Sequence, residues 1–306
     1  MSVLIVGSIG LDTIETPFGK KQDILGGSAI HAAVAASFYG PAAVAGVAGS
    51  DFPKEHLDFL GQRKIDVSGI QIIDGKTFRW SGYYEFDMNQ AHTRDTQLNV
   101  YTRFKPELPE SFRDCNYVFL ANFDPELQLK VLQQVKKPKL VAMDTMNFWI
   151  ENKRQALHKV IRHVDLLLLN DGEARQFMET PNLPIAAARL LKLGPKSVII
   201  KKGEHGALYF SDKGYFSAPS YPQDQLRDPT GAGDSFAGGL IGYLAGSDDL
   251  SEDNIRRAII VGSVMASFNI EDFSLDRMKR LTRREIQERF SEFKRFSEFE
   301  AIGALQ

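Results

Sequence analysis

The chain has 306 residues, with 37 basic against 39 acidic side chains and a formal net charge of −2. This balance argues against nucleic-acid binding through a basic surface, and no apolar run approaches the roughly 18 residues that a membrane span requires. Cys115 is the single cysteine, which excludes an internal disulfide and a cysteine-based metal site. The first residues predict a strand rather than a signal peptide. We therefore expect a cytoplasmic protein that binds neither nucleic acid nor membranes.

Short apolar runs alternate with helical patterns along most of the chain. Residues 3–9 form an apolar run typical of a buried strand in a parallel sheet, and a small-residue helix is predicted from residue 27 to about residue 39. Further strands are predicted at residues 42–47, 117–121, 140–143, 164–169 and 198–200, with helices between them at 126–135, 153–162 and 173–178. This alternation indicates an α/β fold with a doubly wound, mostly parallel sheet flanked by helices. A single domain is expected over residues 1–306.

One region, residues 76–104, interrupts this alternation. Aromatic and small residues alternate with polar ones over residues 78–82, and no stretch of helical period follows. We predict strands that leave the main sheet and form a small lid, which residues 12–25 join. The alternative is an antiparallel edge of the main sheet.

The C-terminal third has a helical pattern. Thr282 and Glu285 form a capping-box pattern before an apolar residue, which predicts a helix start. The basic cluster at residues 277–284 is expected to be a solvated helix face. A stripe of aromatic residues, spaced by three, predicts a buried helix face: Phe290, Phe293, Phe296 and Phe299.

The strongest chemical signal is the glycine-rich segment at residues 228–240, with the sequence DPTGAGDSFAGGL. It leads into a predicted helix at residues 236–245. Its glycines let the backbone approach a ligand closely. The amides of Gly231, Ala232 and Gly233 precede the helix, so they are expected to form an anion site together with the helix dipole.

Asp234 follows these amides directly, and its carboxylate can accept the proton of an attacking hydroxyl. Phosphoryl transfer needs an oriented nucleophile, an electrostatic cradle and a metal, and this segment offers the first two. The segment therefore predicts a phosphoryl-transfer enzyme with Asp234 as the catalytic base. The alternative is structural, with the glycines forming a tight turn and Asp234 serving as a charge at the helix N-terminus.

Other nucleotide-binding and hydrolytic signatures are absent from the sequence. Residues 69–77 approach a Walker A loop, but five residues separate Gly69 from Gly75 where that loop has four. No GxGxxG follows the first strand, and neither GxSxG nor HExxH occurs. A P-loop, a dinucleotide site, an α/β-hydrolase and zinc chemistry are therefore not expected.

The glycine-rich segment closely resembles the C-terminal signature of the ribokinase-like (PfkB) carbohydrate kinase family. Three further matches lie before it in the chain, in the expected order, so the resemblance spans about residues 1–290. It implies a ribokinase-like fold with a β-strand lid, and ATP and Mg²⁺ as cofactors. Because dimers through the lid occur in that family, a homodimer is also expected.

The resemblance implies an acceptor site near the N-terminus. Asp12 follows the first strand, and Gly26 and Gly27 open the next helix; in the family, these residue types bind sugar hydroxyls. His31 stands where the family usually has asparagine. This departure leaves the choice between a sugar and a nucleoside open, and His31 is also compatible with a packed core position.

The resemblance also implies a site for magnesium and the phosphates. Asn170 and Glu173 match the family's Asn-x-x-Glu element, which helps to position Mg²⁺. One glutamate with one asparagine is adequate, because Mg²⁺ keeps several waters. The alternative is an ordinary helix N-terminus with acidic residues in its first turn.

Two further contacts to the nucleotide and a cation are implied. The segment from Lys202 through Gly203 to Gly206 resembles the Lys-x-Gly-x-x-Gly turn that contacts nucleotide in the family, although a plain hairpin turn is the alternative. Thr230, with the neighbouring glycines, is expected beside the phosphates. The backbone oxygens of Asp228 and Thr230 are candidate ligands for K⁺.

Together these patterns predict a kinase that transfers the γ-phosphoryl group of ATP to a hydroxyl of a small sugar. A nucleoside kinase with an adenosine-like acceptor is one alternative. A sugar-binding regulatory protein without turnover is the other.

Overall fold

The structure, a computed structural model, describes residues 3–298. Over these residues the strands in chain order are β1 (Val3–Val6), β2 (Gly10–Thr16), β3 (Gly19–Gly26), β4 (Ala42–Gly49), β5 (Ile65–Ile73), β6 (Phe78–Tyr84), β7 (Ala91–Gln97), β8 (Tyr117–Leu120), β9 (Leu140–Met143), β10 (Leu166–Asn170), β11 (Ser197–Lys201), β12 (Ala207–Ser211) and β13 (Gly214–Ala218). The helices are α1 (Ser28–Ala36), α2 (Lys54–Gln62), α3 (Glu110–Arg113), α4 (Pro125–Leu132), α5 (Asn147–Asn152), α6 (Arg154–Ile161), α7 (Asp171–Met178), α8 (Leu183–Leu191), α9 (Ala232–Ser247), α10 (Glu252–Asn269), α11 (Asp276–Arg280) and α12 (Arg283–Ser297).

The larger sheet has nine strands in the order β13-β12-β11-β10-β9-β8-β1-β4-β5. Its strands from β11 to β5 are parallel, and β12 and β13 extend one edge antiparallel. This arrangement confirms the doubly wound, mostly parallel sheet that the alternating pattern predicts.

Both faces of the larger sheet are covered, as the all-apolar strands require. Successive side chains of β1 enter opposite cores: Val3 and Ile5 lie in one cluster, Leu4 and Val6 in the other. The strand ends at Val6, earlier than the predicted residue 9. The reason is the neighbouring helix, since the Ser8 carbonyl accepts a hydrogen bond from the amide of Ala29 at 3.1 Å.

Helices α1 and α9 pack unusually closely. A Cβ at Gly238 would lie 2.1 Å from the carbonyl oxygen of Ala32, and a Cβ at Gly242 would lie 2.6 Å from the Cα of Ala36. Only glycine permits this approach of two backbones. The contact brings the first turn of α1 next to the start of α9.

The two segments that break the alternating pattern form a second, four-stranded sheet in the order β3-β2-β6-β7. Strand β2 pairs antiparallel with β3 and parallel with β6, and β6 pairs antiparallel with β7. The alternative of an antiparallel edge on the main sheet is therefore wrong. Movement of this second sheet as a lid stays a prediction.

The C-terminal helix α12 differs in part from the sequence expectation. Thr282 and Glu285 form the predicted capping box. Phe293 is fully buried, but Phe296 is 43% exposed, and Phe299 lies outside the described residues. Positions three apart turn by about 300° on a helix, so a run with this spacing drifts off any single face.

The basic cluster at residues 277–284 is not uniformly solvated. The Arg277 side chain is 13% exposed and pairs with Glu271 at 2.5 Å and with Glu285 at 2.7 Å. Because two carboxylates surround its guanidinium, Arg277 can lie against the protein without an uncompensated charge. Among the helices described between residues 3 and 298, we find none that is long and apolar enough to cross a membrane.

Candidate active site

The carboxyl ends of β1, β8, β9, β10 and β11 meet at one edge of the larger sheet. The chain proceeds from β1 to β4 and β5 on one side and later returns to β8 on the other, so β1 lies at the switch in strand order. Ligands of open α/β sheets bind at such a switch point. The predicted site residues follow these strands or lie on the elements that pack beside them.

The glycine-rich segment turns into α9 at Gly231. This residue has φ of 77° and is the N-terminal cap of the helix. Within the described part of the chain, the amides of Gly231 and Gly233 donate to no backbone carbonyl, whereas the amide of Ala232 donates to the Pro229 carbonyl at 3.1 Å. Two of the three amides of the expected anion site therefore remain free for a ligand. The third, that of Ala232, stabilises the turn.

Asp234 lies in the first turn of α9 and is partly buried. Burial and the charge of Asp144 together raise its pKa to about 7, and the charge of Lys201 opposes this rise. A carboxyl group with this pKa is a suitable proton acceptor near neutral pH. The structure thus places Asp234 beside groups that follow two different strands of the sheet.

Asp144 and Lys201 form a buried ion pair on one side of Asp234. The Asp144 side chain is 4% exposed and that of Lys201 is 17% exposed. A Cβ at Gly233 would lie 3.1 Å from Lys201 Nζ, so the ammonium group lies against the glycine turn. Burial opposes the charge of Lys201, but Asp144 and Glu173 raise its pKa overall. The ammonium group of this pair lies beside the expected anion site.

Glu173 and Asn170 cap α7 reciprocally. The Asn170 side chain accepts from the Glu173 amide at 2.7 Å, and Glu173 Oε2 accepts from the Asn170 amide at 2.7 Å. Burial and the charge of Asp144 raise the pKa of Glu173 to about 8. The other carboxylate oxygen of Glu173 makes no hydrogen bond within residues 3–298, and its carboxyl group interacts with the charges of Asp144 and Lys201.

The predicted nucleotide turn connects β11 to β12. The amide of Lys202 donates to the Gly206 carbonyl at 2.7 Å, and Gly203 begins a short 3₁₀ helix. Asn89, in the β6–β7 turn of the second sheet, donates to Glu204 Oε1 at 3.2 Å. The ammonium group that pairs with Asp144 is that of Lys201, which is adjacent to the Lys202 selected from the sequence; contact of Lys202 with a nucleotide stays a prediction.

The predicted acceptor residues lie together on the other side of Asp234. Asp12, on β2, is 5% exposed. Burial, together with the charges of Asp228 and Asp234, raises its pKa to about 7, and a hydrogen bond from the amide of Gly27 opposes the rise. Gly26, next to this amide, pairs with Gly10 at the end of β3.

His31 lies in α1 and is 2% exposed. Its Nδ1 lies 3.1 Å from Oδ1 of Asn269, and a Cβ at Gly231 would lie 2.3 Å from the same nitrogen. Burial lowers the pKa of His31 to about 4, an effect that the bond to Asn269 reduces. The histidine is therefore packed in the core, as one alternative predicts. It also contacts the turn at residues 231–233, which we call the anion turn because an anion is expected there.

Asp228 and Thr230 lie just before this turn, and their hydrogen bonds stabilise it. The carboxylate of Asp228 accepts from the amides of Thr230 at 2.9 Å and Ser274 at 3.0 Å. The hydroxyl of Thr230 donates to the Tyr84 hydroxyl at 3.1 Å. Tyr84 is on β6, so the second sheet contacts the anion turn.

Three residues of this site escape sequence reasoning: Asp144, Lys201 and Asn269. Asp144 follows the buried strand β9 directly, and this position at a carboxyl end was a usable signal. Lys201 and Lys202 are adjacent, and sequence alone does not say which of them faces the site. No sequence motif around Asn269 indicates that this residue belongs to the site.

A family model described as "pfkB family carbohydrate kinase" matches residues 19–279. The chain belongs to this family. A cytidine kinase of Thermococcus kodakarensis is 31% identical over 256 residues, which cover 80% of this chain and 90% of that protein. The family resemblance drawn from the glycine-rich segment is confirmed.

Solved structures of other proteins share the fold of this pfkB family member. A nucleoside kinase of Burkholderia thailandensis in complex with inosine has a TM-score of 0.78 at 21% identity, covering 95% of this chain and 97% of its own. A proposed ribokinase II of Escherichia coli in complex with ATP and Mg²⁺ has a TM-score of 0.78 at 20% identity, covering 96% and 99%. The fold is ribokinase-like.

The family and its kinase-named relatives establish the reaction class. This pfkB family member is an ATP-using phosphotransferase with an alcohol group as acceptor. The alternative of a regulatory protein without turnover is set aside.

Proposed function

We propose that this kinase transfers the γ-phosphoryl group of ATP to a hydroxyl of a nucleoside. The cytidine kinase relative aligns with 80% of this chain, and a neighbour of the same fold was solved with inosine. These similarities favour the nucleoside over the free sugar that the family's general character suggests. A nucleoside still carries a ribose, so the hydroxyl-binding residues expected for a sugar apply to both.

The position of Asp234 carries the proposal. Its carboxylate is at the start of α9, with Asp12 on the acceptor side and the Asp144–Lys201 pair on the other. A base at this point can take the proton of a hydroxyl held by Asp12 and Gly27. The unpaired amides of Gly231 and Gly233 then face the charge that develops on the phosphoryl group.

The residues around Lys201 suit the phosphates of a nucleotide. A buried ammonium group and two amides at a helix N-terminus attract polyanions. Within residues 3–298, no group of three or more His, Cys, Asp or Glu side chains is arranged to hold a metal by itself. Nucleotide-bound Mg²⁺ needs only one or two carboxylates and keeps its waters, so Glu173 and Asp144 fit it, with Asn170 nearby. When bound, Mg²⁺ neutralises phosphate charge.

The second sheet serves as the lid in this proposal. Tyr84 contacts Thr230, and Asn89 contacts the turn that begins at Gly203. Both contacts join the second sheet to the nucleotide-binding side across the acceptor site. Closure there would keep water from the phosphoryl group.

A potassium site at Asp228 and Thr230 stays part of the proposal. Both carboxylate oxygens of Asp228 accept hydrogen bonds from backbone amides. The candidate ligands for an ion are therefore the backbone oxygens of Asp228 and Thr230. The Thr230 carbonyl also accepts from Asn269 at 2.7 Å. Activity should be compared in K⁺ and in tetramethylammonium at equal ionic strength.

A homodimer through the second sheet is also proposed. Strands β3 and β7 are its edges, and its surface carries ion pairs of Glu15 with Lys20 and Arg94. Such an interface would be polar and sensitive to salt. Sedimentation at low and high salt tests this point.

The acceptor is tested with a panel of nucleosides and free sugars, each with ATP and Mg²⁺. Products are identified by mass spectrometry, and Asp234→Asn protein from the same purification reports contaminating kinases. We expect the highest kcat/KM for a nucleoside, at least about tenfold above ribose or fructose, which corresponds to about 1.4 kcal/mol. A free sugar as the best acceptor would overturn the nucleoside assignment.

A further inference from the structure

Asn269 is a buried amide at the junction of the two halves of the site. It is the last residue of α10 and is fully buried. Its Nδ2 donates to the Thr230 carbonyl at 2.7 Å, while its Oδ1 accepts from the Ser235 hydroxyl at 3.0 Å and lies 3.1 Å from His31 Nδ1. These partners belong to α1 and to both ends of the Gly231 turn.

The partners of Asn269 fix the orientation of its amide. A backbone carbonyl can only accept, so the NH₂ group must face Thr230. The oxygen then faces His31, and an amide oxygen can only accept as well. His31 must therefore carry a proton on Nδ1 to make this contact.

The proton on Nδ1 determines what the other ring nitrogen offers. The low pKa of His31, about 4 because of burial, keeps the ring neutral near pH 7, so Nε2 carries a lone pair. Nε2 makes no hydrogen bond to residues 3–298. It is nevertheless not among the fully buried polar atoms without a partner in the described residues, so part of its surface remains accessible.

We propose that Asn269 is a positioning residue that holds His31 in its Nδ1–H tautomer, so that Nε2 accepts a hydrogen bond from a hydroxyl of the acceptor. The acceptor part of this inference rests on the proposed nucleoside kinase function. An asparagine at position 31 could donate or accept, whereas this histidine can only accept. The acceptor group must therefore be a donor, and a hydroxyl meets that requirement.

The same amide ties the acceptor side to the anion turn. Thr230 and Ser235 flank Gly231, and both are bonded to Asn269. The His31 ring lies against Gly231 itself. Loss of Asn269 should therefore weaken acceptor binding and also lower kcat.

The tautomer is measured directly by ¹⁵N NMR on histidine-labelled protein without substrate, with His31→Gln assigning the signal. We expect Nδ1–H in the native protein and a shift toward Nε2–H in Asn269→Ala. Asn254→Ala is the matched control, because Asn254 is also a buried, hydrogen-bonded amide of α10. The control should leave the His31 tautomer unchanged, and an Nε2–H ring in the native protein would overturn the inference.

Binding is measured separately by calorimetry with the best acceptor from the panel and its 2′- and 3′-deoxy analogues. We expect native protein to bind one deoxy analogue about tenfold more weakly, the usual size of one lost hydrogen bond to a buried partner. In His31→Ala this difference should vanish. Persistence of the full difference would contradict the role of Nε2. An Nδ1–H ring in a protein that phosphorylates no nucleoside would support the tautomer and refute the proposed acceptor.

Discussion

The two sides of Asp234 carry carboxylates in opposite electrostatic settings. On the nucleotide side, Asp144 forms an ion pair with the ammonium group of Lys201, and the charge of Glu173 also raises the pKa of this lysine. On the acceptor side, Asp12 has no cationic partner within residues 3–298, and Asp228 and Asp234 raise its pKa further. The carboxylates of the nucleotide side therefore lie next to a buried cation, whereas the carboxylate of the acceptor side does not.

This difference matches what each side has to bind. A polyphosphate brings its own negative charge, so a lysine and free amides are needed to receive it. A polyol is neutral and donates hydrogen bonds, so carboxylates without a cation are good acceptors for it. Asp234 lies at the boundary, where its raised pKa suits proton transfer between the two sides.

The largest expected effect comes from removing the base at the boundary. Asp234→Asn should lower kcat by about 10²–10⁴-fold, the usual contribution of a general base, because an amide cannot take the proton. The dissociation constant of ATP should change little. Steady-state kinetics and calorimetry measure both quantities.

The control is Asp253→Asn, since Asp253 is an acidic residue in the first turn of α10. Its activity should match that of the native protein. Retention of most activity in Asp234→Asn would contradict the assignment of the base.

A second substitution acts where the two sides touch. Gly231→Ala should lower kcat/KM by roughly 10²-fold, similar to the loss of one anion-hole donor. A Cβ there would lie 2.3 Å from His31 Nδ1, and φ is 77°, so the turn must move. Kinetics and thermal unfolding test the change.

Gly61→Ala is its matched control, because a Cβ at Gly61 in α2 meets nothing within 4 Å. This variant should gain up to about 1 kcal/mol in stability and keep its activity. A fully active Gly231→Ala protein would mean that the turn does not face the reacting group.

A third test concerns the cation of the nucleotide side. Lys201→Met should raise the KM for ATP by about 10–100-fold, because a hydrogen bond to a charged group contributes roughly 1.5–3 kcal/mol. Lys202→Met, which removes the lysine chosen from the sequence, should change it less than about threefold. Equal effects in the two variants would refute the assignment to Lys201.

The smallest effects are expected from pH. The pKa of Asp234 is about 7, so kcat/KM should fall about tenfold per pH unit below that value as the base is protonated. A carboxyl whose pKa is higher in the folded than in the unfolded state lowers the free energy of unfolding as pH rises from about 4 to about 7.

Asp234→Asn should remove this fall in the free energy of unfolding. Its Tm should exceed that of the native protein by roughly 2–4 °C at pH 8 and equal it at pH 4. A lower Tm at pH 8 would show that Asp234 stabilises the fold, against the raised pKa.

Features that depend on neighbouring residues could be predicted from the amino-acid sequence alone. The alternation of apolar runs with helical patterns specified the layered sheet, because strand and helix periods are local properties. The glycines and Asp234 specified the anion turn for the same reason, since a helix start is built from consecutive amides. These parts of the fold and site needed no knowledge of long-range contacts.

The residues that meet across the site could be identified only from the folded arrangement of the helices and strands. Lys201, the last residue of β11, pairs with Asp144, which follows β9, because the sheet brings the carboxyl ends of these strands to the same edge. His31 and Asn269 are 238 positions apart, and their contact arises from the close packing of α1 on α9 and of α9 on α10. Such pairings depend on how whole elements pack, and no short sequence pattern encodes that.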